Sequence, residues 1–417
     1  MTPAVVPPRL PGLKGLDVAN KRVLVRVDYN IAPAADGAPV DDFRIRASIE
    51  TLKHLIAAKA RVVLLTHRGR PQGTPVAELS TRHLLPALEN LLGQKVQWCA
   101  DCVGRMAEHA VEKLAPGEVL LLENTRFHLG DPLNQQSFVH QLAKLGEVFV
   151  NEAFPALHRA HASISGLSAV MPEAVLGLNT QRELGWLTDL LGNVKRPLLV
   201  MVGGAHMGPK LEWMQRMLGH VDHLMAGGAV AHTLLAARDV PLGLSHFEPA
   251  FVEASRDFIT EAGVIGSRLL LPLDLVVAHR DSPEKAVGVR MAGRLEGGDM
   301  AQDIGPETIR TWKGVIKHAG SILWLGSMGA WESDNYRQGT LELAEEIIRH
   351  KKAFSVVGGD GLLRVLDAVG VRADMPRVSA GAAVWMAALG GQPLPALQVM
   401  AARVNGWAGN DRRSSPR

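Results

Sequence analysis

This sequence has few cysteines, no long apolar runs and a low net charge. Its 417 residues include only two cysteines, which is typical of a protein from a reducing compartment. No stretch of about 18 uninterrupted apolar residues occurs, so we expect no transmembrane helix. The first 15 residues contain several prolines and no apolar core of a secretory signal. The net charge is only +3, which gives no reason to expect nucleic acid or a membrane surface as a partner. We therefore expect a cytoplasmic protein.

Short ligand-binding motifs are also scarce. The two cysteines form one CxxC, Cys99-Ala-Asp-Cys102, but a structural zinc site uses four ligands and no second CxxC is present. A redox pair is an alternative, although the surrounding pattern is not thioredoxin-like. Walker A and GxGxxG patterns are absent. The common nucleotide fingerprints therefore give no guidance here.

The length and composition are those of a globular protein with more than one domain. Hydrophobic residues make up 47% of the chain and charged residues 21%, which leaves ample material for a core. For 417 residues, two α/β domains of about 150–200 residues each are the natural expectation.

In the first half, apolar strands alternate with amphipathic helices. Buried parallel strands are predicted at residues 21–28, 61–66, 118–123 and 147–150. Each is followed at once by polar residues, and the last leads into residues 151–166, which hold two histidines and an arginine within four positions. In open α/β sheets, ligands bind at the carboxyl ends of the strands.

Basic side chains near these strand ends predict an anion site. Taken singly, each would be a surface ion pair of little consequence. As a set they can converge on one ligand, because parallel strands end at the same edge of a sheet. Guanidinium groups offer forked, permanently charged donors, so we expect a small molecule carrying phosphate or carboxylate. The residues are Arg26 (inside a strand), Arg44, His67, Arg70, Arg126, Arg159 and His161.

The second half repeats the alternation after a helix predicted over residues 178–191. Strands are expected at 198–202, 222–226, 268–271, 321–325 and 354–357, with helices between them. Glycines follow several of these strands, where backbone N–H groups could approach a phosphate, although glycine is also a common turn residue. This half alone predicts a nucleotide-sized ligand.

The whole sequence resembles the phosphoglycerate kinase family. Matching segments in the first half are KRVLVRVDYN, DDFRIRA, LLTHRGRP, DCVG, PGEVLLLENTRFH and HRAHAS; in the second they are VGGA, AGGAVAHTLL, LPLDLVVA, DIGPET and W-x-G-x-MG-x-WE. The resemblance implies an α/β fold of two Rossmann-like, three-layer lobes with parallel sheets, joined by an interdomain helix. It assigns residues 1–177 to a phosphoglycerate-binding lobe, 178–192 to the helix, 193–393 to a nucleotide-binding lobe and 394–417 to a segment returning to the first lobe with a polar tail. The last eight residues are expected to be disordered.

The resemblance also implies an activity, namely reversible phosphoryl transfer between 1,3-bisphosphoglycerate with ADP and 3-phosphoglycerate with ATP, in glycolysis or carbon fixation. Mg²⁺ would accompany the nucleotide, and hinge closure would bring the substrates together. The protein would act on small molecules as a monomer, without nucleic acid or a membrane.

Residue by residue, the family's phosphoglycerate contacts are matched by Asp28, Asn30, Arg44, His67, Arg70, Arg126, Arg159 and His161. Arg44 matches the family's catalytic arginine, and His206 takes the second catalytic position. The expected nucleotide-binding residues are Gly203, Gly204, Lys210, Gly227, Gly228, Glu332, Gly358 and Gly359, and Asp360 is the expected metal ligand.

The second half departs from the family pattern at several of these positions. His206 stands where the family has lysine, Leu325 where it has asparagine and Ser327 where it has proline. Gly361 follows Asp360 in place of a hydroxyl residue, and the late glycine triplet becomes Ala380-Gly381-Ala382-Ala383. Two hypotheses stay open: a divergent kinase, or a catalytically weak or inactive pseudokinase that binds 3-phosphoglycerate. An oxidoreductase is disfavoured because a dinucleotide fingerprint is absent.

Overall fold

The structure, a computed structural model, describes the backbone of residues 10–411 and the side chains of residues 10–404. Residues 412–417 of the predicted polar tail lie outside this range. The described chain forms two compact units. The first unit contains the residues up to Thr188 together with those from Gln392 onward, and the second unit contains Asp189–Gly391.

Strands and helices alternate through both units. In chain order the strands are β1 (Arg22–Val27), β2 (Arg61–Leu65), β3 (Gln97–Cys99), β4 (Val119–Leu122), β5 (Val148–Glu152), β6 (Glu173–Leu176), β7 (Leu198–Val202), β8 (His223–Ala226), β9 (Arg268–Leu270), β10 (Asp274–His279), β11 (Ser282–Met291), β12 (Asp299–Ile304), β13 (Ser321–Leu325), β14 (Phe354–Gly358) and β15 (Val378–Ser379). The α-helices are α1 (Phe43–Ala57), α2 (Leu85–Leu92), α3 (Gly104–Glu112), α4 (Gln136–Ala143), α5 (Leu167–Val170), α6 (Leu178–Gly192), α7 (Gly208–Met217), α8 (Gly228–Ala236), α9 (Val252–Ile265), α10 (Pro306–Ile316), α11 (Gln338–Arg349), α12 (Asp360–Ala368), α13 (Ala382–Leu389) and α14 (Pro395–Asp411).

The first unit is built on a six-stranded parallel sheet in the order β3-β4-β2-β1-β5-β6. Side chains of a strand point alternately to its two faces. In β1, Val23 and Val25 enter one apolar cluster while Leu24 enters another on the opposite face. Both faces of the sheet are therefore covered, which gives three layers and accounts for the nearly continuous apolar strands in the sequence.

The C-terminal helix α14 packs within the first unit, against α5 and residues 162–166. Arg403 donates hydrogen bonds from its two terminal nitrogens to the backbone oxygens of Ser168 and Pro172, at 2.9 and 3.1 Å. These contacts attach α14 to the first unit.

The second unit has two sheets. Six parallel strands run in the order β15-β14-β13-β7-β8-β9, and β11-β10-β12 form a separate antiparallel sheet. The sequence-based prediction lacked this second sheet. One reason lies in β11, whose side chains are mostly exposed, so that it lacks the continuous buried face on which strands were identified in the sequence.

Other boundaries differ by a few residues. The sequence also predicts a helix over residues 81–93 and a short strand at 95–98. That helix begins as a 3-10 helix, Thr81–Leu84, before α2. β3 begins later than the predicted strand at 95–98 and ends at Cys99. Within the described residues, every helix is too short or too polar to cross a membrane.

Candidate active site

The strand order of the first unit places the predicted anion-binding residues at one edge of the sheet. β1 lies between β2 and β5, and β4 follows β2 on the far side. Asp28 and Asn30 follow β1, while His67 and Arg70 follow β2. Arg126 follows β4, and Arg159 and His161 come after β5. All of them therefore lie beyond the carboxyl ends of parallel strands.

Asp28 orients Arg44 in the first turn of α1. The Arg44 guanidinium donates a 2.8 Å hydrogen bond to Oδ2 of Asp28, and both side chains are largely buried. Oδ1 of Asp28 accepts from the backbone N–H of Asn30 at 3.1 Å. Asn30 in turn accepts from the backbone N–H of Gly69 at 2.8 Å. Through these bonds the loop after β1 is connected to the loop after β2.

His67 is held in its neutral form by the cations around it. Its side chain is buried, and burial together with the charges of Arg26 and Arg126 places its pKa well below the usual range. The Arg26 guanidinium donates to Nδ1 of His67 at 2.8 Å. The ring proton must then reside on Nε2, which becomes a donor for a bound anion.

Arg26 itself has a supporting position. Its side chain is fully buried and donates to the Ser163 hydroxyl at 2.9 Å and to the backbone oxygen of Val27, in addition to His67. The structure therefore uses Arg26 to orient His67 and the segment after β5. Arg26 lies within β1 and not beyond its carboxyl end, which agrees with this supporting role.

Arg126 is fixed over the loop after β2. Its guanidinium donates to the backbone oxygen of Gly69 at 2.7 Å, and its backbone N–H is bonded to Oδ1 of Asn124. Burial, followed by the charge of Arg26, lowers the pKa of Arg126 to about 10. Its Nε is buried and lacks a hydrogen-bond partner among the described residues.

Burial and neighbouring arginines also lower the pKa of Arg159 and His161. Burial and the neighbouring Arg70 lower the pKa of Arg159. Burial, with contributions from Arg126 and Arg26, brings the pKa of His161 to about 4 despite the opposing charge of Asp131. An anionic ligand would offset both the burial of these basic groups and their repulsion by neighbouring arginines.

Asp131 is a member of this site that the sequence did not indicate. It is fully buried, accepts from the hydroxyl of Thr125 at 2.6 Å and from the backbone N–H of Ser163 at 2.9 Å. Its charge opposes the lowering of the pKa of Arg26, Arg126 and His161. Its surroundings in the sequence are those of an ordinary turn, so nothing distinguished it from a surface carboxylate.

A pocket in the second unit contains several of the predicted nucleotide-binding residues. Its cavity volume is about 140 Å³. Gly204, Gly228 and Glu332 line it, together with the ring of Trp331 and the imidazoles of His232 and His246. The pocket thus offers the exposed carboxylate of Glu332 and the aromatic side chain of Trp331.

The glycines after β7 and β8 pack the loops of this pocket together. The N–H groups of Gly203 and Gly204 donate to the backbone oxygens of Leu325 and Ser327, and those of Gly227 and Gly228 to Val202 and Met328. A Cβ on Gly203 would lie 1.9 Å from the Ser327 oxygen, so only glycine fits there. In this structure these N–H groups serve loop packing; phosphate binding by them stays a prediction.

Lys210 lies beside Gly204 at the start of α7. A Cβ on Gly204 would be 3.2 Å from its Nζ. Burial lowers the pKa of Lys210 to about 8, with Glu248 as the opposing charge. Glu248 also accepts from the backbone N–H groups of Met207 and Gly208 at the N-terminus of α7. An anionic group beside Lys210 would restore its full charge.

His206 is separate from the pocket lining. Its side chain is 75% exposed, and its Nδ1 lies 3.7 Å from Oε1 of Glu248. Asp360 is also exposed, at the first position of α12 directly after β14 and Gly359. Gly358 is buried in the last position of β14 and accepts a hydrogen bond from Gly326 N–H at 3.0 Å.

Two further departures in the second unit, Leu325 and Ser327, are buried. Leu325 ends β13 inside the core, and the Ser327 hydroxyl donates to the backbone oxygen of Gly329 at 3.2 Å. Near the late glycine segment, the Ser379 hydroxyl accepts from the N–H of Gly381 and from the indole N–H of Trp385.

Comparisons with known proteins agree over nearly the entire chain. A family model described as phosphoglycerate kinase matches residues 13–392. A phosphoglycerate kinase of Moorella thermoacetica is 39% identical over 386 residues, which cover 92% of this chain and 97% of the relative. One from Sinorhizobium fredii is 38% identical over 387 residues, covering 92% and 96%.

Solved structures give the same result. The structure of phosphoglycerate kinase from Coxiella burnetii has a TM-score of 0.79 and 32% identity, covering 95% of this chain and 100% of that one. The enzyme from Pyrococcus horikoshii has a TM-score of 0.84 and 26% identity, covering 94% and 100%. The predicted fold of two parallel-sheet α/β lobes is thereby confirmed. The chain belongs to the phosphoglycerate kinase family.

Proposed function

We propose that this protein is a phosphotransferase that exchanges a phosphoryl group between 1,3-bisphosphoglycerate with ADP and 3-phosphoglycerate with ATP. The observation that carries the proposal is the group of buried and half-buried basic side chains in the first unit, where burial and neighbouring arginines lower the pKa of Arg126, Arg159 and His161. A ligand with both a phosphate and a carboxylate supplies the missing charge. Family membership supports the same substrates.

The residues of the first unit would bind and orient the glycerate. Arg70, Arg126 and Arg159 would hold its phosphate, since guanidinium groups bind phosphate through paired hydrogen bonds. The neutral His67 would donate from Nε2, and His161 would contact the same ligand. Arg44, oriented by Asp28 at 2.8 Å, would stabilise the charge that develops on the transferring group.

The second unit would bind the nucleotide. Glu332 would accept hydrogen bonds from ribose hydroxyls at the pocket lined by Trp331. Lys210 would be fully protonated beside the phosphates, because anions raise the pKa of a lysine. In kinase chemistry of this kind, positioning and electrostatic stabilisation supply most of the rate. We propose hinge bending to bring the two substrates in line.

Asp360 is the residue that would hold Mg²⁺. Its exposed carboxylate is a hard oxygen ligand, and Mg²⁺ is commonly bound by one or two carboxylates together with substrate phosphates and water. When bound, the ion would neutralise charge on the phosphates of the nucleotide. The donor chemistry of this position therefore fits the ion.

The proposal also includes the cellular compartment and the oligomeric state of the protein. Both cysteines are free and buried, which supports a reducing compartment such as the cytoplasm. We propose a monomer that acts on small molecules, with no requirement for nucleic acid or a membrane.

The reaction is tested by measuring ATP consumption with 3-phosphoglycerate and Mg²⁺ in the purified full-length protein. We expect turnover in the parent and a rise of about 10²-fold or more in a His206→Lys variant, because one positioned donor contributes about 10²–10³ in rate. His220→Lys, a change at another exposed histidine of the same unit, serves as the matched control. If the parent and both variants show no turnover but still bind 3-phosphoglycerate, the kinase proposal is wrong. The protein would then be a 3-phosphoglycerate-binding protein.

A further inference from the structure

Three metal-ligating side chains meet in the first unit, at a place that the proposed reaction does not use. Among the residues with described side chains, Asp101, Cys102 and His128 each offer one ligand atom within 4.8 Å of the other two. Asp101 and Cys102 lie between β3 and α3, and His128 lies after β4. β3 and β4 are parallel neighbours, with Cys99 opposite Leu122, so their carboxyl ends bring the two segments together.

Local contacts hold the three side chains in place. Oδ1 of Asp101 accepts from the backbone N–H of Cys102 at 2.6 Å and of Val103 at 3.4 Å, and lies 2.8 Å from Nε2 of His128. The imidazole packs on the ring of Phe138, with a centroid separation of 5.3 Å and a tilt of 34°. The Cys102 side chain is fully buried. The three groups are therefore oriented without a ligand, which lowers the cost of binding one.

The chemistry of the set points to a particular class of ion. Cysteine sulfur, imidazole nitrogen and carboxylate oxygen together suit Zn²⁺, whereas Mg²⁺ and Ca²⁺ prefer oxygen alone. Tetrahedral bonds of about 2.0–2.3 Å place neighbouring ligand atoms about 3.3–3.7 Å apart. Separations up to 4.8 Å are close to this range, so shifts of about 1 Å or less would complete the geometry.

We propose that Asp101, Cys102 and His128 form a binding site for one Zn²⁺ or a similar thiophilic divalent ion, with water as the fourth ligand. Asp101 and His128 are partly exposed, at 40% and 36%, and provide the entry side, while Cys102 forms the floor. The site has the three-ligand, one-water composition of open zinc sites.

Binding of the ion releases one proton from the protein. The ion takes the place of the proton on Cys102 Sγ, which passes to solvent, and of the Nε2 proton of His128, which moves to Nδ1. The hydrogen bond between His128 and Asp101 is exchanged for two metal bonds. Burial and the nearby Asp101 raise the pKa of the Cys102 thiol, so the proton is present before the ion arrives and its release is measurable.

The neighbouring cysteine provides a matched control. Cys99 is also buried and belongs to the same CxxC, but it is not one of the three grouped residues. A metal site made of Asp101, Cys102 and His128 therefore depends on one cysteine and not on the other. A dithiol or disulfide function would depend equally on both.

The test uses Co²⁺ as a spectroscopic probe, with the full-length protein under reducing conditions. We expect one equivalent to produce tetrahedral d–d bands and a thiolate-to-cobalt charge-transfer band, Zn²⁺ to displace Co²⁺, and calorimetry in two buffers to show proton release. Cys102→Ser should abolish the charge-transfer band, and His128→Gln should weaken Zn²⁺ binding at least tenfold. Cys99→Ser should retain both properties.

Several results would overturn the proposal. These are a charge-transfer band that survives Cys102→Ser, a band lost equally in Cys99→Ser, or Zn²⁺ affinity unchanged by His128→Gln. His128→Gln changes a partly exposed side chain. It therefore still tests the proposed site if Cys102→Ser fails to fold. Neither variant changes a residue of the proposed kinase site, so the outcome is independent of ATP turnover.

Discussion

At the residue scale, Trp331 explains the glycine at position 361. A Cβ on Gly361 would lie 2.8 Å from the indole Nε1 and 3.1 Å from Cδ1 of Trp331. The same indole lines the pocket and lies 5.5 Å from the guanidinium carbon of Arg364. The indole of Trp331 therefore occupies the space that a side chain at position 361 would need. The absence of a hydroxyl after Asp360 follows from the presence of Trp331.

This pairing predicts the effect of restoring a hydroxyl. Gly361→Ser should displace the indole and weaken nucleotide binding, by about tenfold if the contact costs about 1.4 kcal/mol. A second change, Trp331→Phe, should recover most of the loss, because it frees the space that the serine Cβ takes. Calorimetric titration with ADP and Mg²⁺ measures both variants. Equal affinities in the parent and in Gly361→Ser would show that the indole moves freely.

Lys210 predicts a pH dependence of nucleotide binding. With its pKa lowered to about 8 by burial, Lys210 loses its proton as the pH rises through 8, well below the ordinary pKa of about 10.4. The affinity of the protein for ADP should therefore fall above about pH 8. In Lys210→Met the affinity should be lower and flat between pH 7 and pH 9. A parent curve without this decline would exclude Lys210 from the phosphate contacts.

At the element scale, one buried acid connects β5, α1 and α6. Oε1 of Glu152 accepts from the hydroxyl of Thr51 at 2.6 Å and from the backbone N–H of Asn179 at 3.0 Å, and Oε2 accepts from the N–H of Thr180 at 3.0 Å. The carboxylate thus satisfies N–H groups in the first turn of α6, which have no partner inside the helix. The start of the helix is determined by a residue on a strand.

Removing this acid should destabilise the first unit. Glu152→Ala leaves at least two buried N–H groups without partners, each worth about 1–3 kcal/mol, so we expect a loss of about 2 kcal/mol or more. Glu173→Ala, at an exposed carboxylate 3.9 Å from Lys21, should cost about 0–1 kcal/mol. Hydrogen exchange of the β1 amides measures the free energy of unfolding in this unit. Equal protection in both variants would contradict the role of Glu152.

At the scale of the whole molecule, several histidines are kept neutral. Burial lowers the pKa of His158, His161 and His232 to about 4 and of His67 well below its usual range. In the unfolded chain their pKa is about 6.5. Between pH 6.5 and pH 4 the unfolded state thus binds more protons at these sites, and their contribution to stability is lost as the pH falls.

A substitution of His232 measures the contribution of one histidine to this pH dependence. It is buried and donates from Nδ1 to the backbone oxygen of His246 at 2.9 Å. In His232→Gln, the slope of the unfolding free energy against pH should decrease between pH 6.5 and 4 by up to one proton, about 1.4 kcal/mol per pH unit. His54→Gln, at an exposed histidine, serves as the control variant. Denaturant titrations across this range make the comparison, and identical slopes would refute it.

The sequence by itself determined the alternation of strands and helices, the residues beyond the strand ends and the family. These properties are local: an apolar run of a given length predicts a buried strand, and the polar residues after it are read directly from the chain. The basic group from Arg44 to His161 was predictable in this way. So was α6, whose predicted bounds of residues 178–191 lie within one residue of Leu178–Gly192.

Tertiary structure decided which groups pair with which. The hydrogen bond of Arg26 to His67, the burial of Asp131 among cations and the proximity of Cys102 to His128 all join residues far apart in sequence. The N–H groups of Gly203 and its neighbours are paired by loops from other strands. Periodicity reports which face of an element is buried, but hydrogen bonds and pKa shifts arise from the partners that the sheet order brings together, and a single sequence does not contain that order.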